Sequence, residues 1–274
     1  MTSQTLAAVR GRIDHTDGTG AAPVPASAAR EAARLKATGE AHVWWWPLED
    51  HVDQADFDLL DEVEQIRARR FRHERDAAAF ARTRAGARRA IGDLLGVDPR
   101  TVALGRRVCP GCGDLEHGPP AVAGPAVGLA VSLTRTSGCG VLALHAGDWI
   151  GVDIEALRPV ASGSLAGVVL APAEHAYILS LPAGPERTAA FHRVWTRKEA
   201  VLKGVGLGLL GVDLNTLDVR PGTPGPLEVE HGHRGESSSW WQIDDLDLDG
   251  NWSASLARPV DGSPLGEVHS HRPA

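Results

Sequence analysis

Apolar residues recur along the chain at two spacings, one typical of helices and one typical of strands. Between residues 54 and 96, repeats of three and four predict two amphipathic helices, the second ending before Gly96 and Pro99. Two further helices are predicted over 173–181 and 187–203. The apolar faces of the first two comprise Leu59, Val63, Ile66 and Phe71, and then Phe80, Ala87, Ile91 and Leu94.

Shorter apolar runs predict the strands. The aromatic run 42–48 predicts one strand, and the patterns of 141–154 and 240–257 predict two antiparallel hairpins, the second turning at Asp249-Gly250. Helices interleaved with antiparallel hairpins favour an α+β fold over a doubly wound parallel sheet. Each half of the chain has helical segments followed by a hairpin, so we expect two similar α+β subdomains related by a pseudo-two-fold.

The predicted boundaries follow from these patterns. Residues 41–148 form the expected N-terminal subdomain and residues 149–259 the C-terminal one. The segment 1–40 is rich in Ala, Gly, Thr and Pro and predicts a disordered or loosely packed arm, with a short helix over 28–37 as the alternative. The tail, 260–274, is polar and is expected to fray.

Composition narrows the class of protein. The 274 residues carry a net charge of −7 with 43% hydrophobic residues, as in ordinary globular proteins. There is no run of about 18 apolar residues and no apolar signal core, so we expect neither a membrane partner nor secretion. Three cysteines, an odd number, favour the cytoplasm. The acidic balance argues against nucleic acid as a partner.

Two short stretches carry candidate chemistry. Asp153 and Glu155 stand two apart in a predicted strand, which places both carboxylates on one face. Glu199 and Lys203 stand four apart on a predicted helix and share a face, whereas Lys198 diverges from Glu199 by about 100°. Taken separately, each stretch has an ordinary alternative: solvated acids on an exposed strand, and a surface ion pair near a helix end.

Together the two stretches resemble a known signature. Gly151-Val-Asp153, a gap, and then Trp195-Thr-x-Lys198-Glu199-Ala-x-x-Lys203 are similar at every specified position to the 4′-phosphopantetheinyl transferases of the Sfp type. The resemblance covers roughly residues 42–257. It includes the arginine-rich segment after residue 67 and a loop, 109–120, that resembles one in many actinobacterial members.

The resemblance implies an active site at the interface of the two subdomains. It implies that coenzyme A binds there with Mg²⁺, and that the phosphopantetheine arm passes to a serine of an acyl or peptidyl carrier protein. Adenosine 3′,5′-bisphosphate is the other product. The implied partners are carriers of fatty-acid, polyketide or nonribosomal peptide synthesis, and the implied enzyme is a monomer of the holo-[acyl-carrier-protein] synthase type.

Site residues follow from the motif and from what phosphoryl chemistry needs. Asp153, Glu155 and Glu199 are the candidate ligands of the metal, because Mg²⁺ prefers carboxylate and phosphate oxygens. Glu199 is also the candidate base for the serine, and Lys203 the candidate cation for the departing phosphate. The candidate coenzyme A-binding residues are Arg67, Arg70, Arg84, Thr134, Arg135, Asp153, Lys198 and Lys203.

Two departures from the family pattern keep a second hypothesis open. Arg135 stands where the family has a phosphate-contacting histidine, with Thr134 in place of a serine, and Pro119 replaces a lysine. A guanidinium still binds phosphate, but proline cannot. The alternative function is a non-catalytic or repurposed relative that binds coenzyme A.

Two further segments allow more than one interpretation. Cys109 and Cys112, with His117 and Cys139, are a possible zinc set or redox pair, but the spacing favours ordinary loop thiols. The segment 165–181 is more apolar than one helix would hide. It predicts either a surface on which the carrier protein docks or a buried connection.

Overall fold

The computed structural model describes residues 23–114, 117–125, 127–160, 167–207, 213–232 and 238–272. Within them, helices and two β-sheets are mixed, so the predicted α+β class is confirmed. The helices are α1 (Ala26–Thr38), α2 (Gln54–Phe57), α3 (Glu62–Arg69), α4 (Glu74–Leu95), α5 (Pro172–Ser180) and α6 (Pro185–Val205). None of the described helices is long and apolar enough to span a bilayer.

The six-stranded first sheet runs in the order β10-β1-β5-β4-β3-β2, and the four-stranded second sheet runs β6-β9-β8-β7. The strands of the first sheet are β1 (Ala41–Pro47), β2 (Ala103–Arg106), β3 (Pro120–Gly124), β4 (Ala130–Thr136), β5 (Cys139–His145) and β10 (Val268–His271). Those of the second are β6 (Gly151–Ala156), β7 (Leu227–His231), β8 (Ser239–Asp245) and β9 (Trp252–Pro259).

The first sheet packs its outer face on α1 and α4, with Trp46 at the centre of that contact. Gly86 on α4 and Gly140 on β5 make room for the indole, since a Cβ at either position would lie 2.8 or 2.7 Å from its ring atoms. The inner face, which includes Val43 and Val141, packs against Val152 of the second sheet. The nearly continuous apolar runs of β1 and β5 therefore serve two cores, one on each face of the sheet.

The second sheet carries α6 on its outer face, across β6 and β9. The helix approaches β6 very closely at Gly151, where a Cβ would lie 1.8 Å from the carbonyl oxygen of Ala200. Only glycine permits this approach. The glycine of the Gly-Val-Asp stretch is therefore required by packing, and it brings the helix that carries Glu199 and Lys203 directly over Asp153.

One predicted hairpin is wrong and the other is confirmed. β8 and β9 pair antiparallel, as the Asp249-Gly250 turn predicts. The hairpin predicted over 141–154 does not form, because β5 pairs with β1 and β4 whereas β6 pairs with β9 in the other sheet. Residues 146–150 are thus the crossing between sheets. The predicted boundary between residues 148 and 149 falls in this crossing, and the division into two subdomains stays a prediction.

The described segments nearest the two ends, 23–40 and 260–272, are more ordered than the sequence predicts. Residues 1–22 of the predicted arm lie outside the described residues, but α1 buries Ala28, Ala32 and Leu35 against the first sheet, as in the helical alternative. The predicted frayed tail contains β10, which pairs parallel to β1. Buried Arg258 donates to the carbonyls of Gly39 and Gly266 and thereby fastens both ends to β9.

The apolar face predicted for the first helix is wrong at two of its four positions, whereas Leu59 and Phe71 do pack in a hydrophobic cluster. Val63 and Ile66 of α3 are 75% and 41% exposed, whereas Glu64 is buried. Glu64 closes the capping box at the start of α3 and pairs with Arg84 and Arg88 of α4. Ion pairing, not apolar burial, decides which face of this short helix turns inward.

Three histidines and Glu40 meet where β10 joins β1. The ring of His42 is buried, stacks on His271 and shares a hydrogen bond of 2.9 Å with it. Burial, with the charges of His271 and His269, lowers the pKa of His42 to about 4, while Glu40 opposes this shift. The folded protein therefore holds the neutral imidazole.

We predict that the pairing of β10 weakens in mild acid. The pKa of His42 is lower in the folded protein than in the unfolded chain. The contribution of His42 to the stability of the fold is therefore complete above pH 6.5 and is lost as the pH falls toward about 4. The urea midpoint should drop between pH 7 and pH 5, and His42→Phe should flatten that dependence. The exposed His51→Asn serves as the control and should leave the slope unchanged; an equal slope in all three proteins would contradict the assignment.

Candidate active site

The two sheets meet along a seam between β4 and β6. Three hydroxyl side chains at alternate positions of β4, here called the hydroxyl ladder, face the free edge of β6: Ser132, Thr134 and Thr136. Ser132 Oγ accepts from the backbone N–H of Val152, and Thr136 Oγ1 accepts from that of Ala156, each at 3.1 Å. Side chains of one sheet thus satisfy backbone donors at the edge of the other.

Asp153 lies at the centre of this seam and is 4% exposed. Its Oδ1 accepts from Lys203 Nζ at 2.5 Å and from Thr134 Oγ1 at 3.2 Å, and Lys203 Nζ also donates to Thr134 at 2.9 Å. Burial raises the pKa of Asp153, and the charge of Lys203 opposes that shift. Thr134, Asp153 and Lys203 thus form a hydrogen-bonded triangle, and its members come from β4, β6 and α6, respectively.

Two further carboxylates extend the site along β6 and α6. Glu155 accepts from Thr136 Oγ1 at 3.3 Å, on the same face of β6 as Asp153, as its spacing predicts. Burial raises the pKa of Glu199 to about 7; Lys203 opposes the rise, and the charges of Asp153 and Glu155 add to it. Glu199 therefore exchanges its proton near neutral pH.

The oxygens of these carboxylates fit a hard divalent cation such as Mg²⁺. Asp153 Oδ2 and Glu199 Oε1 are both buried and have no hydrogen-bond partner, which is costly for carboxylates unless a cation faces them. Among the described residues, the oxygens of Asp153, Glu155 and Glu199 do not all lie within 4.8 Å of one another. The set therefore suits an ion that completes its shell with water or phosphate oxygens, as Mg²⁺ does.

Lys198 does not join this site, contrary to its predicted role in binding coenzyme A. Its side chain is 0% exposed, and its Nζ donates to the carbonyls of Val169 and Leu214 at 2.7 and 2.8 Å. It also pairs with Glu174 Oε2 at 2.6 Å. Being one position from Glu199 on the helix, Lys198 points about 100° away from it around α6, toward Glu174 of α5.

The predicted arginines separate into two groups. Arg84 pairs with buried Glu64, so its charge is used at least in part within the fold, and its role in phosphate binding stays a prediction. Arg67 and Arg70 are exposed. Arg67 lies over the ring of Phe80 and near Arg135, whose pKa is lowered by burial and then by the charge of Arg67. Two guanidinium groups therefore converge beside α3.

Arg135 and Thr134 lie on opposite faces of β4 because side chains alternate along a strand. Thr134 joins Asp153 and Lys203 at the seam, whereas Arg135 faces Arg67 and Asp76 on the helical side. The two residues predicted together for coenzyme A thus contact different regions of the molecule.

A cleft beside Lys203 contains a cation that the sequence analysis missed. Arg107 lies over the ring of Trp149, 5.4 Å from its centroid, and donates to the carbonyl of Asp148. Burial lowers the pKa of Arg107. The one signal in the sequence that could have pointed to Arg107 is its position directly after β2, next to Arg106. The cleft is lined by Arg107, Pro119, Pro120, Trp149, Ile150 and Lys203, among others.

The second sheet and α6 coincide with a family match. Residues 150–257 match the model of the 4′-phosphopantetheinyl transferase superfamily. This match is to the same superfamily that the two sequence motifs indicate.

One relative extends the similarity over most of the chain. The chain is 29% identical over 225 residues to the 4′-phosphopantetheinyl transferase HetI of Nostoc sp. (strain PCC 7120). The aligned region covers 80% of this chain and 87% of the relative, so it extends beyond the matched family region.

We predict that Lys198→Met destabilises the protein without directly changing the site. The substitution leaves Glu174, which is 0% exposed, without its cation, and breaking such a pair costs about 3–5 kcal/mol. Urea unfolding should show this loss, and adding Glu174→Gln should recover part of it. Exposed Lys36→Met is the control. A Lys198→Met protein of normal stability that has lost affinity for coenzyme A would instead restore the predicted binding role.

We predict that Glu199→Gln stabilises the metal-free protein most at high pH. Because the pKa of Glu199 is raised, its carboxylate is destabilising, and stability is lost as pH rises from 4.5 through about 7. Melting temperatures without divalent ions should rise in Glu199→Gln more at pH 8 than at pH 5. Mg²⁺ should raise the melting temperature of the wild type, but much less that of Glu199→Gln, with exposed Glu228→Gln behaving as wild type.

Proposed function

We propose that this chain transfers the 4′-phosphopantetheine arm of coenzyme A to a serine hydroxyl of an acyl or peptidyl carrier protein, in a Mg²⁺-dependent reaction that releases adenosine 3′,5′-bisphosphate. One observation carries the proposal. Asp153 and Glu199 present unpartnered buried oxygens beside Lys203, within the part of the chain that matches the superfamily.

Glu199 is the proposed base. Its carboxylate lies beside Lys203 and Asp153, and in the metal-free protein burial raises its pKa to about 7, which favours proton uptake. Of its two oxygens, one would face the cation and the other would take the proton. In the proposed step, the serine oxygen forms a bond to the phosphorus of the pantetheine phosphate as its proton passes to Glu199. The bond from that phosphorus to the bridging pyrophosphate oxygen breaks, and the electron pair leaves with adenosine 3′,5′-bisphosphate.

Lys203 is the proposed cation for the phosphate that departs. Its Nζ is already held by Asp153 and Thr134, so it is oriented before the substrate arrives. Mg²⁺ held by Asp153 and Glu199, with Glu155, would neutralise pyrophosphate charge when bound. Arg107 lines the same cleft as Lys203 and supplies the positive charge that Pro119 lacks.

The 3′-phosphate end of coenzyme A is the proposed ligand of Arg67 and Arg135. Guanidinium groups bind phosphate in a bidentate manner, and these two stand close enough for the charge of one to lower the pKa of the other. A phosphate dianion would relieve that repulsion. Arg70 is exposed on the same helical segment and is a further candidate.

The carrier protein is proposed to dock on the apolar surface near α5. Val168 and Leu179 are 64% and 55% exposed, while the neighbouring Val169 and Ile178 are buried. The predicted segment is therefore partly surface and partly core, and residues 161–166 lie outside the described residues. A cytoplasmic, monomeric enzyme serving fatty-acid, polyketide or nonribosomal peptide synthesis is part of this proposal.

A second candidate function is that of a relative that binds coenzyme A without transferring its arm. Two observations favour it: Pro119 lines the cleft where the family has a lysine, and Arg135 faces away from Thr134 and Asp153. The intact carboxylate and lysine arrangement supports transfer instead.

We predict that wild-type protein adds one phosphopantetheine to an apo carrier protein in the presence of coenzyme A and Mg²⁺, as measured by intact-protein mass spectrometry. Asp153→Asn removes a charge at the proposed metal site and should lower the rate at least about 100-fold. Exposed Glu228→Gln should transfer normally. No addition to several carriers, with coenzyme A still bound by calorimetry, would contradict transfer and support the binding relative.

A further inference from the structure

The loop between β2 and β3 brings together three side chains that bind soft metals. This knuckle loop, residues 107–119, is described at 107–114 and 117–119. One ligand atom each of Cys109, Cys112 and His117 lies within 4.8 Å of the other two. Cys112 Sγ and His117 Nε2 are 3.3 Å apart. For comparison, bonds of about 2.3 Å to sulfur and 2.0 Å to nitrogen place tetrahedral zinc ligands about 3.5 Å from each other.

The backbone of the knuckle loop is shaped around Cys109. Its N–H donates to the carbonyl of Asp114, and its carbonyl accepts from the N–H of Gly113, both at 2.8 Å. Gly113 takes a left-handed φ of +78°, which closes the turn. The backbone N–H groups of Gly111 and Cys112 are directed at the Cys109 sulfur.

These donors favour the thiolate, which is the form that binds metal. Burial alone raises the pKa of Cys109, but the N–H groups of Gly111 and Cys112, with the Cys112 thiol, lower it overall. Cys139 differs from Cys109 in its surroundings and in the direction of its pKa shift. It is buried in the core between the sheets, and burial raises its pKa to about 12. Two of the three cysteines are therefore arranged as ligands and the third is not.

We propose that Cys109, Cys112 and His117 bind one Zn²⁺ ion, whose fourth position is occupied by an exchangeable ligand such as water. Two thiolates and an imidazole are the donors that zinc prefers over Mg²⁺, which takes oxygen ligands. The carboxylates of the candidate active site and the knuckle loop would thus select different ions. This proposal rests on the loop alone and holds whether or not the chain transfers phosphopantetheine.

The position of the knuckle loop indicates a structural role for the ion. The loop packs on the C-terminal end of α6, where a Cβ on Gly206 would lie 3.2 Å from both Pro110 and Pro119. The N–H of Arg107 donates to the carbonyl of Pro119 at 2.8 Å and closes the base of the loop. An ion at its tip would fix the loop that carries Arg107 and Pro119 to the cleft beside Lys203.

The test is metal analysis of the full chain, purified under reducing conditions, incubated with Zn²⁺ and desalted. We expect about one zinc per chain in the wild type. Cys112→Ser and His117→Ala should lose most of it, whereas Cys139→Ala and the exposed His51→Ala should retain it. Far-UV circular dichroism shows whether each variant folds. Removal of the ion by a chelator should lower the melting temperature of the wild type.

A second measurement does not depend on any variant folding. Co²⁺ added to the reduced, zinc-free wild type should give the visible absorption of tetrahedral thiolate coordination, and Zn²⁺ should displace it. Absence of this spectrum, with less than about a tenth of a zinc per chain, would overturn the proposal. So would retention of zinc in folded Cys112→Ser and His117→Ala proteins. A Cys109–Cys112 disulfide that resists reduction, seen as the loss of two hydrogens by mass, would also exclude the site.

Discussion

The architecture of the site depends on burying the charge of Asp153 at the seam between the two sheets. A buried carboxylate is strongly destabilising unless cations and hydrogen-bond donors surround it. Here Lys203 comes from α6, Thr134 from β4 and Asp153 from β6. No single element holds the triangle, so the site exists only when both sheets and the helix are assembled. The hydroxyl ladder makes this assembly specific by matching donors and acceptors at fixed two-residue intervals.

Close packing of α6 on β6 divides the sequence motif into residues that shape the fold and residues that face the cleft. Gly151 admits the carbonyl of Ala200, and Thr196 bonds Ser255 of β9 at 3.0 Å. Lys198 forms an ion pair with Glu174 of α5, away from the seam. Glu199 and Lys203 remain directed to the seam. A spaced motif can therefore be specific even at positions that face away from the seam, because the fold that presents the others requires them.

Much of the fold follows from periodicity, which reports which face of an element is apolar but not which element lies against it. The helices α4 and α6 and the β8–β9 hairpin are predicted correctly, as is the shared face of Asp153 and Glu155. The sequence predicts a strand over 148–154, which overlaps the observed β6, but not the partner of that strand, because period-two alternation is the same in either sheet. Glu174 as the partner of Lys198 could not be found either, since the pairing depends on how α5 packs on α6.

The arginines after residue 67 show how an acidic chain can present a local positive surface. Arg84 and Arg88 pair with Glu64, and Arg82 and Arg89 pair with Asp56, so much of the charge on α4 is neutralised within the fold. Such pairing explains why an arginine-rich helix need not bind anything. The cations that do face the cleft and the edge of α3 are few: Lys203 and Arg107, which are partly buried, and Arg67 and Arg135, which are exposed. Partial burial strengthens the fields of the first two. Attraction of a polyanion such as coenzyme A would then be set by these local charges and not by the net charge of −7.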